Sequence, residues 1–136
     1  MKRYLLDTNH LGEAIARVSV VRDRIQQLNR QGIVFATCGP VLCELFVGIL
    51  KRKDAKATRR RLDGLLQLTR VWPVDLDIAV RYGEIYAELQ KAGRPLSQVD
   101  MILAALCRHH SSLTLLTTDG DFKALPDIQT ENWLAK

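Results

Sequence analysis

Four acidic residues stand in sequence positions where a carboxylate needs an explanation. Asp7 follows the apolar run "YLL" and Asp119 follows "LTLLTT", so each comes at the end of a predicted strand. Glu44 lies inside the apolar helical segment "VLCELFVGIL", and Asp100 precedes the apolar run "MILAALC". An ionised carboxylate in apolar surroundings is costly unless it has a partner. These four residues are therefore candidates for one shared site.

Each of the four also has an explanation that involves no chemistry. Asp7 suits the N-cap of the helix that begins directly after it. Asp100 comes three residues after Ser97, which is the spacing of a capping box, and Asp119 suits a turn. A salt bridge to Lys or Arg would account for Glu44. The residues alone leave both explanations open.

The segments around these acids predict a regular alternation of strands and helices. We expect strands at 3–6, 33–36, 70–74 and 113–117, with a fifth at 128–132, and helices at 9–17, 19–31, 40–52, 54–69, 76–93 and 98–110. Short, continuously apolar strands separated by helices are typical of a parallel sheet covered on both faces. The predicted fold is therefore a three-layer α/β/α domain with a central parallel sheet of four to five strands.

That fold predicts where the acids lie. Asp7 and Asp119 would leave their strands at the carboxyl edge of the sheet, where open α/β folds bind ligands. Carboxylates about 5 Å apart would repel each other by roughly 3 kcal/mol at an effective dielectric near 20. Protonation or a divalent cation relieves such repulsion. Because this set contains oxygen ligands only, it favours Mg²⁺ or Mn²⁺, and Mg²⁺ with open positions polarises a phosphodiester and activates water.

Length and composition indicate the number of domains, the cellular location and the role of the cysteines. The chain has 136 residues, of which 47% are hydrophobic and 26% charged, so we expect one globular domain over 1–136. The chain has no 18-residue apolar run, and Asp7 interrupts the early apolar segment, which predicts a cytoplasmic protein without a membrane span. Cys38, Cys43 and Cys107 have no metal-ligand spacing, and we expect all three to be small core residues.

Positive charge is concentrated in one segment. Lys and Arg outnumber Asp and Glu by 20 to 15, and the segment "KRKDAKATRRR" at 51–61 holds seven basic residues and one acid. Such a run is either a solvated helix face or a surface that contacts phosphates. The candidate phosphate contacts are Lys51, Arg52, Lys53, Arg59, Arg60 and Arg94.

Four motifs, in this order, resemble the PIN-domain ribonucleases. They are "LLDTN" at 5–9, the helical Glu44, "GRPLSQVDMILAA" at 93–105 and "LLTTDGDF" at 115–122. Among these nucleases the chain is most similar to the VapC-like toxins of bacterial toxin–antitoxin pairs. The resemblance extends from about residue 3 to residue 133.

The resemblance implies roles for particular residues. Asp7, Glu44, Asp100 and Asp119 match the acidic quartet of the family. Three further residues match its supporting positions, namely Asn9, Thr117 and Asp121. The family implies endonucleolytic cleavage of RNA that depends on Mg²⁺ or Mn²⁺.

The resemblance also implies a mechanism and partners. Asp7 and Asp100 would hold one Mg²⁺, and Glu44 would orient or deprotonate the attacking water, directly or through a second ion. Asp119 would complete the site or hold a second ion. In-line attack of water would leave a 5′-phosphate and a 3′-hydroxyl. Family members dimerise and are silenced by a cognate antitoxin, so we expect an RNA substrate, a homodimer and an antitoxin protein as partners.

Two other functions are alternatives to an RNA-cleaving enzyme. A catalytically weak or inactive PIN-fold protein would bind nucleic acid through the basic segment without cutting it. A phosphatase that uses Asp7 as nucleophile would need a second acid two residues later, where this chain has Asn9. Retention of all four acids favours the nuclease.

Overall fold

Five short strands form one parallel sheet in the computed structural model, which describes residues 2–134. The strands are β1 (Arg3–Leu6), β2 (Val34–Cys38), β3 (Thr69–Trp72), β4 (Leu113–Leu116) and β5 (Gln129–Glu131). The helices are α1 (Thr8–Ala14), α2 (Val20–Arg30), α3 (Gly39–Ile49), α4 (Ala55–Leu66), α5 (Leu76–Ala92) and α6 (Gln98–His109), followed by a short 3₁₀ helix, Gly120–Ala124. The predicted α/β fold with a parallel central sheet is confirmed.

The order of the strands places β1 at the centre of the sheet. The order is β3-β2-β1-β4-β5, and every neighbouring pair is parallel. From β1 the chain adds strands on one side, and after β3 it crosses over to add β4 and β5 on the other. Because parallel crossovers are right-handed, α1–α4 cover one face of the sheet and α5–α6 the other. The carboxyl ends of β1 and β4 therefore form a topological switch point.

The strands are apolar because both of their faces are covered. Leu5, Leu6, Leu115 and Leu116 have no exposed surface, as expected for central strands of a parallel sheet. On the face covered by α2, the rings of Tyr4, Phe35 and Trp133 pack together, with centroids 5.1–6.0 Å apart. This aromatic cluster anchors the segment after β5 through Trp133.

Helix caps fix the ends of the connecting elements. The side chains of Ser19, Asp75 and Ser97 accept backbone N–H hydrogen bonds at the starts of α2, α5 and α6. At the end of α5, Gly93 adopts φ 65°, a left-handed conformation that favours glycine. Gly93 thus turns the chain from α5 toward α6, and Ser97 starts α6 at a defined residue.

The helix predicted over 40–52 is shorter in the structure. Helix α3 ends at Ile49 and α4 runs from Ala55 to Leu66, so Lys51 and Arg52 lie in the connection between them. The carboxylate of Asp54 pairs with Arg52 (Nε–Oδ1 2.8 Å) and gives α4 no side-chain cap.

Strand β3 ends at Trp72, before Pro73, because proline lacks the N–H that a further ladder bond requires.

The expectation that every cysteine lies in the core is wrong for Cys43. Cys38 is buried and Cys107 half-buried, but Cys43 is exposed on α3. The same exposed face of α3 presents Val47, which is 60% exposed, and Leu50, directly after the helix, which is 76% exposed. An apolar sequence therefore did not mean a buried face in this helix.

Among the helices of residues 2–134, none is both long enough and apolar enough to cross a membrane.

Candidate acidic active site

The site forms at the switch point between β1 and β4. The register pairs Leu6 with Leu116, the last residues of the two strands, so Asp7 and Thr117 emerge side by side. The backbone N–H of Asp7 donates to the carbonyl of Leu116 at 3.1 Å, which extends the ladder into the site. The position of Asp7 is therefore set by the pairing of two central strands.

Asp7 is both a helix cap and a member of a cluster. The residue is 8% exposed, and its carboxylate accepts hydrogen bonds from the N–H of Thr8 at 2.6 Å and from Thr117 Oγ1 at 2.8 Å. Thr117 in turn accepts a bond from the N–H of Asp119 at 3.1 Å. The buried Thr117 hydroxyl thus links the acid that follows β1 to the acid that follows β4.

Asp100 and Asp119 meet across the gap between α6 and β4. Burial raises the pKa of Asp100 to about 6, and the neighbouring carboxylates of Asp119 and Asp7 act in the same direction. The Ser97 hydroxyl opposes this rise in pKa. The backbone N–H of Asp121 donates a hydrogen bond to Oδ1 of the Asp119 carboxylate at 2.8 Å. Asp7, Asp100 and Asp119 therefore form one electrostatically coupled group.

Glu44 lies beside this group and not inside it. Its side chain is exposed, so the expected desolvation in an apolar helix is wrong. The Thr8 hydroxyl donates to Glu44 Oε1 at 2.8 Å, while the Thr8 N–H donates to Asp7. Thr8 therefore connects Glu44 to the other acids, and Glu44 faces a cleft that is also lined by Asn9 and Thr118.

The donor chemistry of the site fits a hard divalent cation. Within residues 2–134, no group of three or more His, Cys, Asp or Glu side chains is arranged to hold a metal ion on its own. Mg²⁺ does not require such a cage, because it keeps several waters and commonly binds through one or two carboxylates. The Asp100 and Asp119 carboxyl groups lie close enough for the charge of Asp119 to raise the pKa of Asp100, and a cation would relieve their repulsion.

Softer ligands near the site are excluded from such a role. Burial raises the pKa of the Cys38 thiol to about 11, so this thiol stays protonated at neutral pH. His10 is fully buried, and its Nε2 accepts the backbone N–H of Trp133 at 3.0 Å. The remaining ligands are carboxylate oxygens.

The other predicted site residues fall into two groups. Asn9 lies at the site and donates from Nδ2 to Thr118 Oγ1 at 2.7 Å, whereas Asp121 has an exposed side chain and contacts Asp119 only through its backbone. No structural feature tests the roles that the sequence predicts for these residues, and the roles stay predictions.

The predicted phosphate contacts are divided between two surfaces. Lys51, Arg52, Lys53, Arg59 and Arg60 are exposed on the α3–α4 side. The charges of Arg52 and Arg59 are already paired with Asp54 and Asp63, at 2.8 and 2.9 Å. Arg94 lies apart from them, in a cleft between the α5–α6 connection and the 3₁₀ helix. The structure does not bring these six residues together.

Two residues at the site were missed by sequence reasoning. Thr8 bridges two acids, and its only signal is its position directly after Asp7 in "LDTN". His10 fixes the segment after β5 through Trp133, and its Nδ1 has no hydrogen-bond partner within the described part of the chain. No local pattern marks His10, because its partner is 123 residues away.

The crowding of carboxylates makes a prediction about stability. Asp100→Asn removes one charge from the group, so it should raise the free energy of unfolding in EDTA at pH 7.5 by about 1 kcal/mol, allowing for the partial exposure of Asp100. Millimolar Mg²⁺ should stabilise the parent and have a much smaller effect on the variant, because binding to the folded state adds stability. Urea unfolding of both proteins, with and without Mg²⁺, measures these differences. A variant that is less stable than the parent in EDTA, or that gains as much from Mg²⁺, would contradict the assignment.

Comparison with known proteins places this arrangement in a family. The family model described as "PIN domain" matches residues 4–128. Ribonuclease VapC2 of Rickettsia felis is 25% identical over 130 residues, with 96% of this chain and 97% of that protein covered. The tRNA(fMet)-specific endonuclease VapC of Shigella flexneri is 26% identical over 134 residues, with coverage of 98% and 99%.

Solved structures agree with the sequence comparison. The crystal structure of VapBC2 from Rickettsia felis, bound to a DNA fragment from its promoter, contains a chain that superimposes with a TM-score of 0.82 at 26% identity, covering 96% of this chain and 98% of that one. FitAcB from Neisseria gonorrhoeae gives a TM-score of 0.77 at 26% identity, with coverage of 97% and 99%. The resemblance to VapC-like proteins is confirmed, and with the family model matching most of its length this chain belongs to the PIN domain family.

Proposed function

We propose that this protein is a metal-dependent endoribonuclease and the toxin of a toxin–antitoxin pair. The observation that supports this most strongly is the meeting of Asp7, Asp100 and Asp119 at the carboxyl edge of the sheet. Similar proteins are named as VapC ribonucleases, one of them as a tRNA(fMet)-specific endonuclease. Acidic residues in this arrangement suit hydrolysis of a phosphodiester more than simple binding of RNA, since they repel a polyanion unless a cation is present.

Each acid has a role that follows from its surroundings. Asp7 and Asp100 would hold Mg²⁺ or Mn²⁺, with Asp119 completing the site. Asp7 is held in place by hydrogen bonds from Thr8 and Thr117, so its carboxylate is oriented before any ligand arrives. When bound, the cation supplies charge stabilisation at the phosphate and a more acidic water.

Glu44 is the residue best placed to handle the attacking water. It is exposed to solvent, and one oxygen, Oε1, accepts the hydrogen bond from Thr8. Its second oxygen makes no hydrogen bond to the described residues and remains available to a water molecule. We assign Glu44 the task of orienting that water or accepting its proton, and a proton acceptor must lie within hydrogen-bond reach of the proton it takes.

The α3–α4 surface suits a protein partner. A groove of about 370 Å³ between the two helices is lined by apolar and basic residues, namely Phe46, Ile49, Leu50, Ala55, Lys56, Arg59 and Arg60. Apolar grooves of this kind accept an amphipathic helix. Two solved relatives are toxin–antitoxin complexes, and we propose that a cognate antitoxin binds here. The homodimer expected from the resemblance stays a prediction.

Replacement of Asp7 or Asp100 by asparagine should slow RNA cleavage strongly. Asp7→Asn and Asp100→Asn should lower the rate of RNA cleavage in Mg²⁺ by roughly 10²–10³-fold, the usual scale for removing a charge-stabilising group. Asparagine is also a good N-cap, so Asp7→Asn should leave α1 intact. The assay is end-mapping of cleaved total cellular RNA, with EDTA as the metal-free comparison.

The control for that experiment is Asp77→Asn. Asp77 is exposed in the first turn of α5, a 17-residue helix whose other end leads toward the site. This variant should cut like the parent. If the parent binds RNA but cuts none in Mg²⁺ or Mn²⁺, the protein is the catalytically inactive binding partner considered above, and the nuclease proposal is wrong.

Thr8 should affect cleavage more than stability. Thr8→Val removes the hydroxyl that orients Glu44 and should slow cleavage by about tenfold, because a misplaced catalytic group loses proximity. The free energy of unfolding should change by less than about 1 kcal/mol, since the lost bond is exposed to solvent. Thr8→Ser keeps the hydroxyl and should retain most of the rate. Equal rates for the valine and serine variants would rule out this positioning role.

A further inference from the structure

A polar cleft opens beside the acidic residues, between the α5–α6 connection and the 3₁₀ helix after β4. It has a volume of about 400 Å³ and is lined by Gly93, Arg94, Pro95, Gly120, Asp121, Lys123 and Ala124. Both of its walls lead into the site, because the α5–α6 connection continues to Asp100 and Gly120 follows Asp119. We name it the Arg94–Lys123 cleft.

We infer that the Arg94–Lys123 cleft binds a backbone phosphate of the RNA strand, next to the phosphodiester that lies at the acids. The inference rests on the proposed function and adds a substrate contact, Lys123, that the sequence did not suggest. A strand crossing the acidic site must continue past one of its rims. At this rim two cations and open space occur together.

The charges of the cleft suit one phosphate. Arg94 and Lys123 project from opposite walls, are exposed, and take part in none of the ion pairs formed within residues 2–134. Arg52 and Arg59, by contrast, are already compensated by neighbouring acids. The Asp121 carboxylate is the only acid lining the cleft in the described structure, which leaves a net charge of one positive unit. A guanidinium fork and an ammonium ion on either side are a common arrangement for phosphate.

Gly120 leaves the wall of the cleft next to Asp119 open. A Cβ placed on Gly120 would meet no atom within 4 Å. Glycine at such a wall allows a ligand backbone to approach the chain closely.

The cleft favours contact with the RNA backbone over contact with its bases. No aromatic side chain lines it within the described structure, so it offers bases no aromatic stacking surface. Phosphate contacts fix the position of a strand and add affinity without information about its bases. The cleft should therefore contribute equally to the binding of RNAs of different sequence.

The test is RNA binding in EDTA, where no cleavage interferes. The probe is a labelled single-stranded oligoribonucleotide of mixed sequence, titrated over a range of salt concentrations. Arg94→Gln and Lys123→Gln should each weaken binding by about three- to tenfold at low salt, and each should reduce the slope of log affinity against log salt by about 0.7, the value for one phosphate contact on a single strand. Lys123→Arg keeps the charge and should bind like the parent.

Arg30→Gln provides the matched control. Arg30 is exposed at the end of α2, just before β2 begins, and so lies at the opposite edge of the sheet from the acids. It should keep the affinity and salt slope of the parent. If Arg94→Gln and Lys123→Gln also keep both values, the cleft is not a phosphate site. Failure of the parent to cut RNA in Mg²⁺ would overturn the proposed function alone, since the binding comparison does not depend on cleavage.

Discussion

The repulsion among Asp7, Asp100 and Asp119 is the constraint on which the rest of this site depends. Three carboxyl groups occupy one end of the sheet, and the charges of Asp7 and Asp119 raise the pKa of Asp100. An isolated peptide would relieve the repulsion by moving the acids apart. Here the central strands prevent this, because the register of β1 and β4 fixes Asp7 beside Thr117. The buried core thus maintains an arrangement that is locally unfavourable, as is common for functional sites.

Backbone N–H groups hold the acids in this arrangement. Asp7 is the N-cap of α1, Asp119 is the N-cap of the 3₁₀ helix, and each accepts an N–H bond from the element that it starts. Helix starts offer unpaired N–H groups and a partial positive charge. Capping and ligand roles are therefore compatible for Asp7, and the two explanations left open by the sequence describe one geometry. A cap orients a carboxylate and leaves its remaining lone pairs available.

Much of the fold and part of the site could be predicted from sequence. The four apolar strands and the acids after β1 and β4 followed from short apolar runs ending in Asp7 and Asp119. The exposure of Glu44 could not be predicted, because α3 is apolar on both its buried and its exposed faces. The hydrophobic pattern therefore does not tell which face packs on the sheet. The bridge by Thr8 depends on a contact across 36 residues, and the anchor at His10 on one across 123. Such pairings are set by the packed fold and leave no local signal.

Charge is distributed so that the proposed RNA strand and the proposed antitoxin would contact different surfaces of the protein. The chain has a net charge of +5, yet the carboxyl edge of the sheet is acidic. A polyanion would avoid that edge unless cations hold it from the sides. On the α3–α4 side two of the basic residues, Arg52 and Arg59, are paired with acids and lie beside exposed apolar surface, a composition suited to a protein. Arg94 and Lys123 are outside the ion pairs of residues 2–134 and line a cleft whose two walls continue to Asp100 and Asp119. Because Arg94 and Lys123 flank the acids, whereas the basic residues of the α3–α4 side lie beside exposed apolar surface, we expect the proposed RNA strand to follow the α6 side of the site and the proposed antitoxin to occupy the α3–α4 groove.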